Sequence, residues 1–346
     1  MKAALIASLA LTTLPLAEDV PRLVLEEGDM LSSAWDITTT RETIAANLGI
    51  MGNDQDVGSG SINTSTRILE LSDEFPKVDD EGSPLTIVRS YETLNTGTER
   101  GGEEREGVTV LDTEGESDLT GSTVVFTYDP ESEEWSAAYA EDAEGEEEWL
   151  EDLAPRVDLS GLLGGVEEDL EVGGSWSLPP SFLSDLLDPG GAVIQLAEPE
   201  ADDAPEGAVQ LRLPGESSIK RYEDLDGDLT ATLAEITEED DTRVAKIVVK
   251  VDVEGDLDVI EDLEEEADER GSNETYLDGT LARTLEGEFT ILWNLTKNRP
   301  ESIEGELSGS AEMDVEWSMS AGADELEITF HQEVDVTHEI EATFGD

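Results

Sequence analysis

Between Ile303 and Met319 the side chains alternate without a break. The odd positions read Ile303, Gly305, Leu307, Gly309, Ala311, Met313, Val315, Trp317 and Met319, while every even position between them is Glu, Ser or Asp. A helix repeats about every 3.6 residues and cannot collect that pattern on one side, whereas a strand sends successive side chains to opposite faces. The preceding run has the same period, with Leu285, Gly287, Phe289, Ile291, Trp293 and Leu295 on one face. Thr296–Pro300 supplies turn residues between the two runs, so residues 284–319 are expected as one long β-hairpin. Leu326, Ile328, Phe330, Val334, Val336 and Ile340 place another amphipathic strand after it.

Shorter strand patterns occur at 22–26, 31–40, 61–71, 84–94, 107–112, 119–128, 134–140, 229–237 and 243–253, most of them bounded by Gly, Pro or Asp-rich turns. Helical spacing is confined to 146–154, with Trp149, Leu150 and Leu153, and to 180–187, with Phe182, Leu183, Leu186 and Leu187. Residues 198–208 read as an exposed acidic loop, and 254–274 as either a loop or a frayed helical excursion. The expected fold class is mainly β: long, curved antiparallel sheets in two similar halves with two or three short helices between. The halves are residues 18–145 and 216–346, and a partly helical Gly/Pro-containing connector, 146–215, joins them. Leu119–Phe126 faintly echoes Leu285–Ile291, out of phase, which leaves a duplication open.

Charge limits the partners. Asp and Glu total 87 against 19 Lys and Arg, a formal charge of −68. Nucleic-acid binding through phosphates needs clustered basic residues, and an anionic membrane surface would repel such a chain. The same charge opposes compaction from within, and salt screens it, with a Debye length of ~8 Å at physiological strength and ~3 Å near 1 M. A setting of seawater or stronger brine, with cations held diffusely around the surface, accounts for the balance.

The N-terminus carries a processing pattern. Lys2 is followed by an apolar stretch from Ala3 to Leu11, and Ala17 precedes the acids Glu18 and Asp19. This is the layout of a secretory signal peptide over residues 1–17, although Pro15 stands where a small residue is preferred. A secreted or periplasmic location is expected. The chain has no cysteine, so disulfides, thiolate metal sites and cysteine nucleophiles are all excluded.

Catalytic motifs are sparse. Asp224–Asp228 has calcium-loop composition, but setting Gly227 at the sixth position puts Tyr222 first and Leu233 twelfth, where ligands are required. His331 and His338 are seven residues apart on one strand, so their rings leave opposite faces and cannot share an ion. No serine sits in a Gly-x-Ser-x-Gly elbow and no phosphate-binding Gly-Lys-Ser/Thr occurs. With so many acids, a carboxylate pair suited to glycoside hydrolysis arises at any spacing, and burial would have to raise one pKa for it to act. No catalytic residue, metal ligand or cofactor is assigned.

Glycines on the apolar strand faces are more informative. Gly287, Gly305 and Gly309 point the same way as Leu307, Trp293 and Trp317. Glycine inside a strand marks a bend, a bulge or the close approach of another group. Two readings stay open: the glycines let long strands curl, or they leave room for an apolar small molecule, lipid or partner segment. Long curved strands with a small helical plug are similar to bacterial lipoprotein carriers. Leu23–Leu31 and Val172–Trp176 resemble segments of uncharacterised secreted β-rich bacterial proteins (a domain of unknown function) that begin with a strand and Gly-Asp and carry a Gly-x-x-Trp turn. That resemblance assigns no functional residue. The expected function is non-catalytic: an extracytoplasmic protein of a marine or salt-adapted bacterium that holds an apolar ligand or partner segment in a curved sheet. A calcium-binding surface protein and a secreted glycan-active hydrolase are the alternatives. N-terminal sequencing of exported protein should give a start at or near Glu18; intact Met1 would refute the leader.

Overall fold

The computed structural model describes residues 20–345 apart from 81, 103–112, 118, 142, 144, 146, 151–152, 168–169, 192, 194–220, 240, 270–273 and 322–323. The chain is mainly β. Its strands are β1 (Asp29–Ile50), β2 (Asn53–Asp56), β3 (Ser61–Val78), β4 (Pro84–Gly102), β5 (Thr113–Glu116), β6 (Thr123–Asp129) and β7 (Glu134–Tyr139), then β8 (Ser175–Leu178), β9 (Asp226–Glu239), β10 (Thr242–Asp258), β11 (Glu274–Asn294), β12 (Arg299–Ala321) and β13 (Asp324–Gly345). Two short α-helices are α1 (Phe182–Leu187) and α2 (Ile260–Glu269).

Among the described residues the strands form one 13-stranded sheet in the order β7-β6-β4-β3-β1-β13-β12-β11-β10-β9-β8, with β2 and β5 added to β1 and β4. It consists of two antiparallel meanders joined back to back through β1 and β13. The four strands nearest the C-terminal side of that seam are long: β13, β12 and β11 have 22, 23 and 21 residues, and β1 has 22. At about 3.3 Å per residue these are spans of roughly 70 Å, well beyond the usual strand.

This order dictates where the connector runs. β7 and β8 are the outer strands, so residues 140–174 leave one edge of the sheet and must reach the other. They cross the inward face. Arg89 of β4, fully buried, donates from Nε and Nη2 to the two Asp73 oxygens at 2.7 and 2.9 Å. The same guanidinium donates to the Ala154 and Pro155 carbonyls at 2.7 and 2.9 Å, pinning the connector to the sheet. Further on, the Trp176 indole donates to the Leu162 carbonyl at 2.7 Å. Helix α1 buries Phe182, Leu183, Leu186 and Leu187. Phe182 stacks on Phe289 of β11 at 6.3 Å, while Arg67 of β3 holds Asp188 and the Leu187 carbonyl at the other end of the helix. β3 and β11 are four strand spacings apart, about 19 Å along a flat sheet. A six-residue helix that engages both requires the sheet to curl around it.

A second cover lies farther along the same inward face. Helix α2 sets Leu263 and Ala267 against Leu281, Met313, Val315 and Trp317, forming a separate apolar cluster. The alternation of β11, β12 and β13 matches the faces read from sequence, with Ile303, Leu307, Met313, Val315 and Trp317 all buried. Other expectations change. Residues 22–26 pass without joining the sheet, the described part of 254–274 divides among the end of β10, α2 and the start of β11, and 175–178 is a strand. The expected strand at 107–112 lies outside the described residues. β1 runs ten residues past Thr40 because a bulge between Thr43 and Ala45 resets its phase.

The outward face carries carboxylates in register. Glu339, Glu306 and Glu288 sit side by side on three strands, and Lys250 on the fourth ends the row, its Nζ 4.0 Å from Glu288. Glu304 faces Glu341, which faces Asp36, and Glu312 faces Glu333. Like charges directly opposite cost roughly 0.2–1 kcal/mol per pair. The melting temperature should therefore rise steeply from millimolar to molar sodium chloride, with calcium acting at lower concentration; a flat chloride series would refute salt dependence. Glu306→Gln, which relieves two such pairs, should raise the melting temperature at low salt and lose its advantage in brine.

The connector also holds a strained acid. Burial, and then the negative charge of Asp158, push the Asp185 carboxyl up to about 6, with Arg156 pulling the other way. Its folded pKa lies above its unfolded one, so the fold is favoured most below about pH 4 and loses that share as pH rises through about 6. Asp185→Asn should raise stability at pH 7–8 by up to about 3 kcal/mol and change nothing near pH 4, read from denaturant midpoints.

Candidate functional site

The structure divides the glycines and tryptophans that the sequence singled out. Gly287, Gly305, Gly309 and Leu307 meet in the middle of the β11–β12 hairpin. A Cβ at Gly309 would stand 2.0 Å from the Thr284 carbonyl oxygen, and one at Gly305 would stand 2.3 Å from Phe289 Cβ. The space in front of these glycines is taken by the neighbouring strand, which is the close approach that coiling demands. Leu307, Trp293 and Trp317 are fully buried. Trp293 pairs with Pro300 and Trp317 with Tyr276, at opposite ends of the hairpin, so tens of ångströms separate them at about 3.3 Å per residue.

The concavity that does offer room is built from three pieces far apart in sequence. Residues 20–28 lie across the end of the sheet that carries the β3–β4 and β11–β12 turns. The Trp293 indole donates to the Arg22 carbonyl at 3.2 Å, the Val24 amide donates to the Asn298 carbonyl at 3.4 Å, and the Leu25 backbone passes against Gly82. The connector forms the facing wall. There buried Asp158 accepts from the Ser160 amide at 3.0 Å, starting the 3-10 turn Ser160–Leu163, and from Arg156 Nε at 2.9 Å. Between these walls is a cleft of about 610 Å³ lined by Val20, Leu23, Leu163 and Val166, with Arg22, Arg156, Ser83 and Ser160 among its polar groups. All four apolar residues are half-buried against the main core. The size and the mixture suit a small ligand.

A polar band crosses the inward face between the two apolar clusters. It contains Arg67 and Ser65 of β3, Thr39 and Arg41 of β1, His338 of β13 and Arg283 of β11. His338 is buried with Nδ1 2.9 Å from Thr39 Oγ1, and burial, followed by the positive charges of Arg41, Arg67 and Arg283, pushes it down to about 3. Arg283 lies over the Tyr222 ring at 5.4 Å. Neither band nor cleft was identified from sequence. For the band a signal existed, since Arg283 is in phase with Leu285 and Arg67 with Leu69.

On the outward face His331 Nδ1 lies 2.9 Å from Asp314 Oδ1, and Glu312 is close enough that the three could reach one ion. Two carboxylates and an imidazole fall short of the six to eight oxygens calcium takes. As for hydrolysis, Asp158 is committed to Arg156 and the Ser160 amide, and no carboxylate lines the cleft among its described residues.

No protein-family model matches the chain, and no curated protein matches it. Among solved structures it is similar to an outer membrane channel from Pseudomonas putida F1, at 9% identity over 94% of this chain and 98% of that one, with a TM-score of 0.23. It is also similar to the outer membrane protein OprG from Pseudomonas aeruginosa, at 6% identity over 93% of this chain and 98% of that one, with a TM-score of 0.19. Superposition that loose transfers neither a fold nor an activity. The outward rows of carboxylates are the reverse of the apolar outward band by which a membrane barrel meets lipid.

Proposed function

We propose that this is a non-catalytic extracytoplasmic protein of a salt-rich setting that holds an apolar ligand in the cleft between residues 20–23 and the connector. The observation that carries the reading is the cleft itself: about 610 Å³ with four half-buried aliphatic side chains on its walls, at the end of the main core. The leader pattern supports a place outside the cytoplasm, and the −68 charge supports the salt. Among the described residues no helix is long and apolar enough to cross a membrane.

Uptake of a fluorescent hydrophobic dye tests the reading. Leu163→Asp replaces an aliphatic wall with a hydrated carboxylate and should weaken binding about tenfold or more, with the circular dichroism spectrum unchanged. Ile68→Asp, on the exposed outward face, should leave binding as it is. Equal binding by both variants would remove the cleft as the ligand site.

A further inference from the structure

Among the described residues, the inward face has a stretch between the two covers that is only half-buried. Along β1 the inward side chains are buried at Trp35 and Ile37, half-buried at Arg41 and Thr43, and buried again at Ala46. β3 repeats the profile, with Asn63, Ser65 and Arg67 half-buried ahead of buried Leu69. On β13 Val336 is half-buried between buried Val334 and His338. Arg41, Ser65 and Arg67 of this stretch belong to the polar band, and Thr43, Asn63 and Val336 adjoin them, between the apolar cluster around α1 and the one around α2.

What lines the gap is unexpected for this chain. Acids outnumber bases more than fourfold, yet Arg41 and Arg67 stand half-buried here and buried Arg283 projects from the same face of β11. Arg41 is two pairs along the β1–β13 ladder from Thr39 and His338 and so on the same face, Arg67 is on the next strand out, and Arg283 is on the far side of β12. Burial first, and then the positive charges of all three, push the His338 pKa down. They are held donors rather than loose ones. Arg67 is clamped to Asp188 and the Leu187 carbonyl, Arg283 is spread over Tyr222, and both Arg41 and Arg283 have further contacts. Guanidinium groups fixed in this way present planar pairs of N–H donors, the geometry that suits tetrahedral oxyanions.

We propose that this gap binds a divalent oxyanion group, a phosphate or a sulfate, among Arg41, Arg67 and Arg283. The ligand is either a free oxyanion or the head of an amphiphile, and the titrants below distinguish the two. This site is separate from the cleft and does not depend on it.

The protein's two histidines make the test direct, because His338 is in the gap and His331 is on the outward face. Full-length protein in roughly 0.5 M sodium chloride, where the Debye length is under about 5 Å, is titrated with inorganic phosphate, sodium sulfate and dodecyl phosphate while the two imidazole C2 proton resonances are followed. A saturable shift of His338 with His331 unmoved is the expected result. Saturation by inorganic phosphate or sulfate identifies a free oxyanion site, and saturation by dodecyl phosphate alone identifies a headgroup site. Arg41→Gln should weaken binding at least tenfold, whereas Lys246→Gln on the outward face should not alter it. The proposal fails if no titrant shifts His338, if both histidines move together, or if folded Arg41→Gln binds as the parent does.

Discussion

A sheet this long has too little inward surface covered unless something is laid across it, and the Arg89 side chain fastens that cover. Its guanidinium forms two hydrogen bonds to Asp73 and two to the carbonyls of Ala154 and Pro155, with the Phe126 ring 5.2 Å away. Breaking such a buried pair by removing one partner typically costs about 3–5 kcal/mol, because the remaining charge is left without a counterpart. Here the loss would spread. The carbonyls Arg89 holds precede the Ser160–Leu163 turn, and that turn forms one cleft wall and receives the Trp176 indole. Trp176 belongs to β8, which closes the far edge of the sheet. One arginine on β4 is thereby linked to both edges and to the cleft.

The curvature follows from the same arrangement. Strands of about 70 Å cannot lie flat. The β11–β12 pair coils where Gly287, Gly305 and Gly309 let backbone approach backbone. Coiling brings β3 and β11 to opposite ends of α1, so the inward face becomes a trough with two plugs and a polar gap between them. The separation of charge is then geometric. Carboxylates occupy the outward rows, where water and salt reach them, and arginines that would pair with them outside are instead set on the inward face.

Much of this was legible in the residues. Strict alternation gave the faces of β11, β12 and β13 directly, and Phe182, Leu183, Leu186 and Leu187 marked the buried helix. What failed did so for identifiable reasons. The bulge between Thr43 and Ala45 flips the side-chain phase, so the second half of β1 does not read as a continuation of the first. β8 has only four residues, two of them serines, and looks like loop. Helix α2 is rich in acids on its exposed side, leaving Leu263 and Ala267 as a thin apolar stripe. The cleft cannot be seen from sequence, because Leu23, Ser83 and Leu163 are brought together by tertiary structure alone. Arg67 and Arg283 stand in register with leucines two positions on. An arginine interrupting an apolar face was the readable sign of the polar band.

The seam between the meanders has a kinetic meaning. Among the described residues β1 is the first strand and β13 the last, and the hydrogen bond between Thr39 and His338 spans 299 positions. The centre of the sheet is therefore its most non-local contact, and loop closure of that length is slow and entropically unfavourable. Until β13 arrives, β1 and β12 each present a full strand edge to any other chain, the configuration from which sheets aggregate. The dense acidic charge along β12 is a defence during that interval. Electrostatic repulsion keeps unfinished chains apart in solution, and the same repulsion weakens the finished sheet until salt screens it.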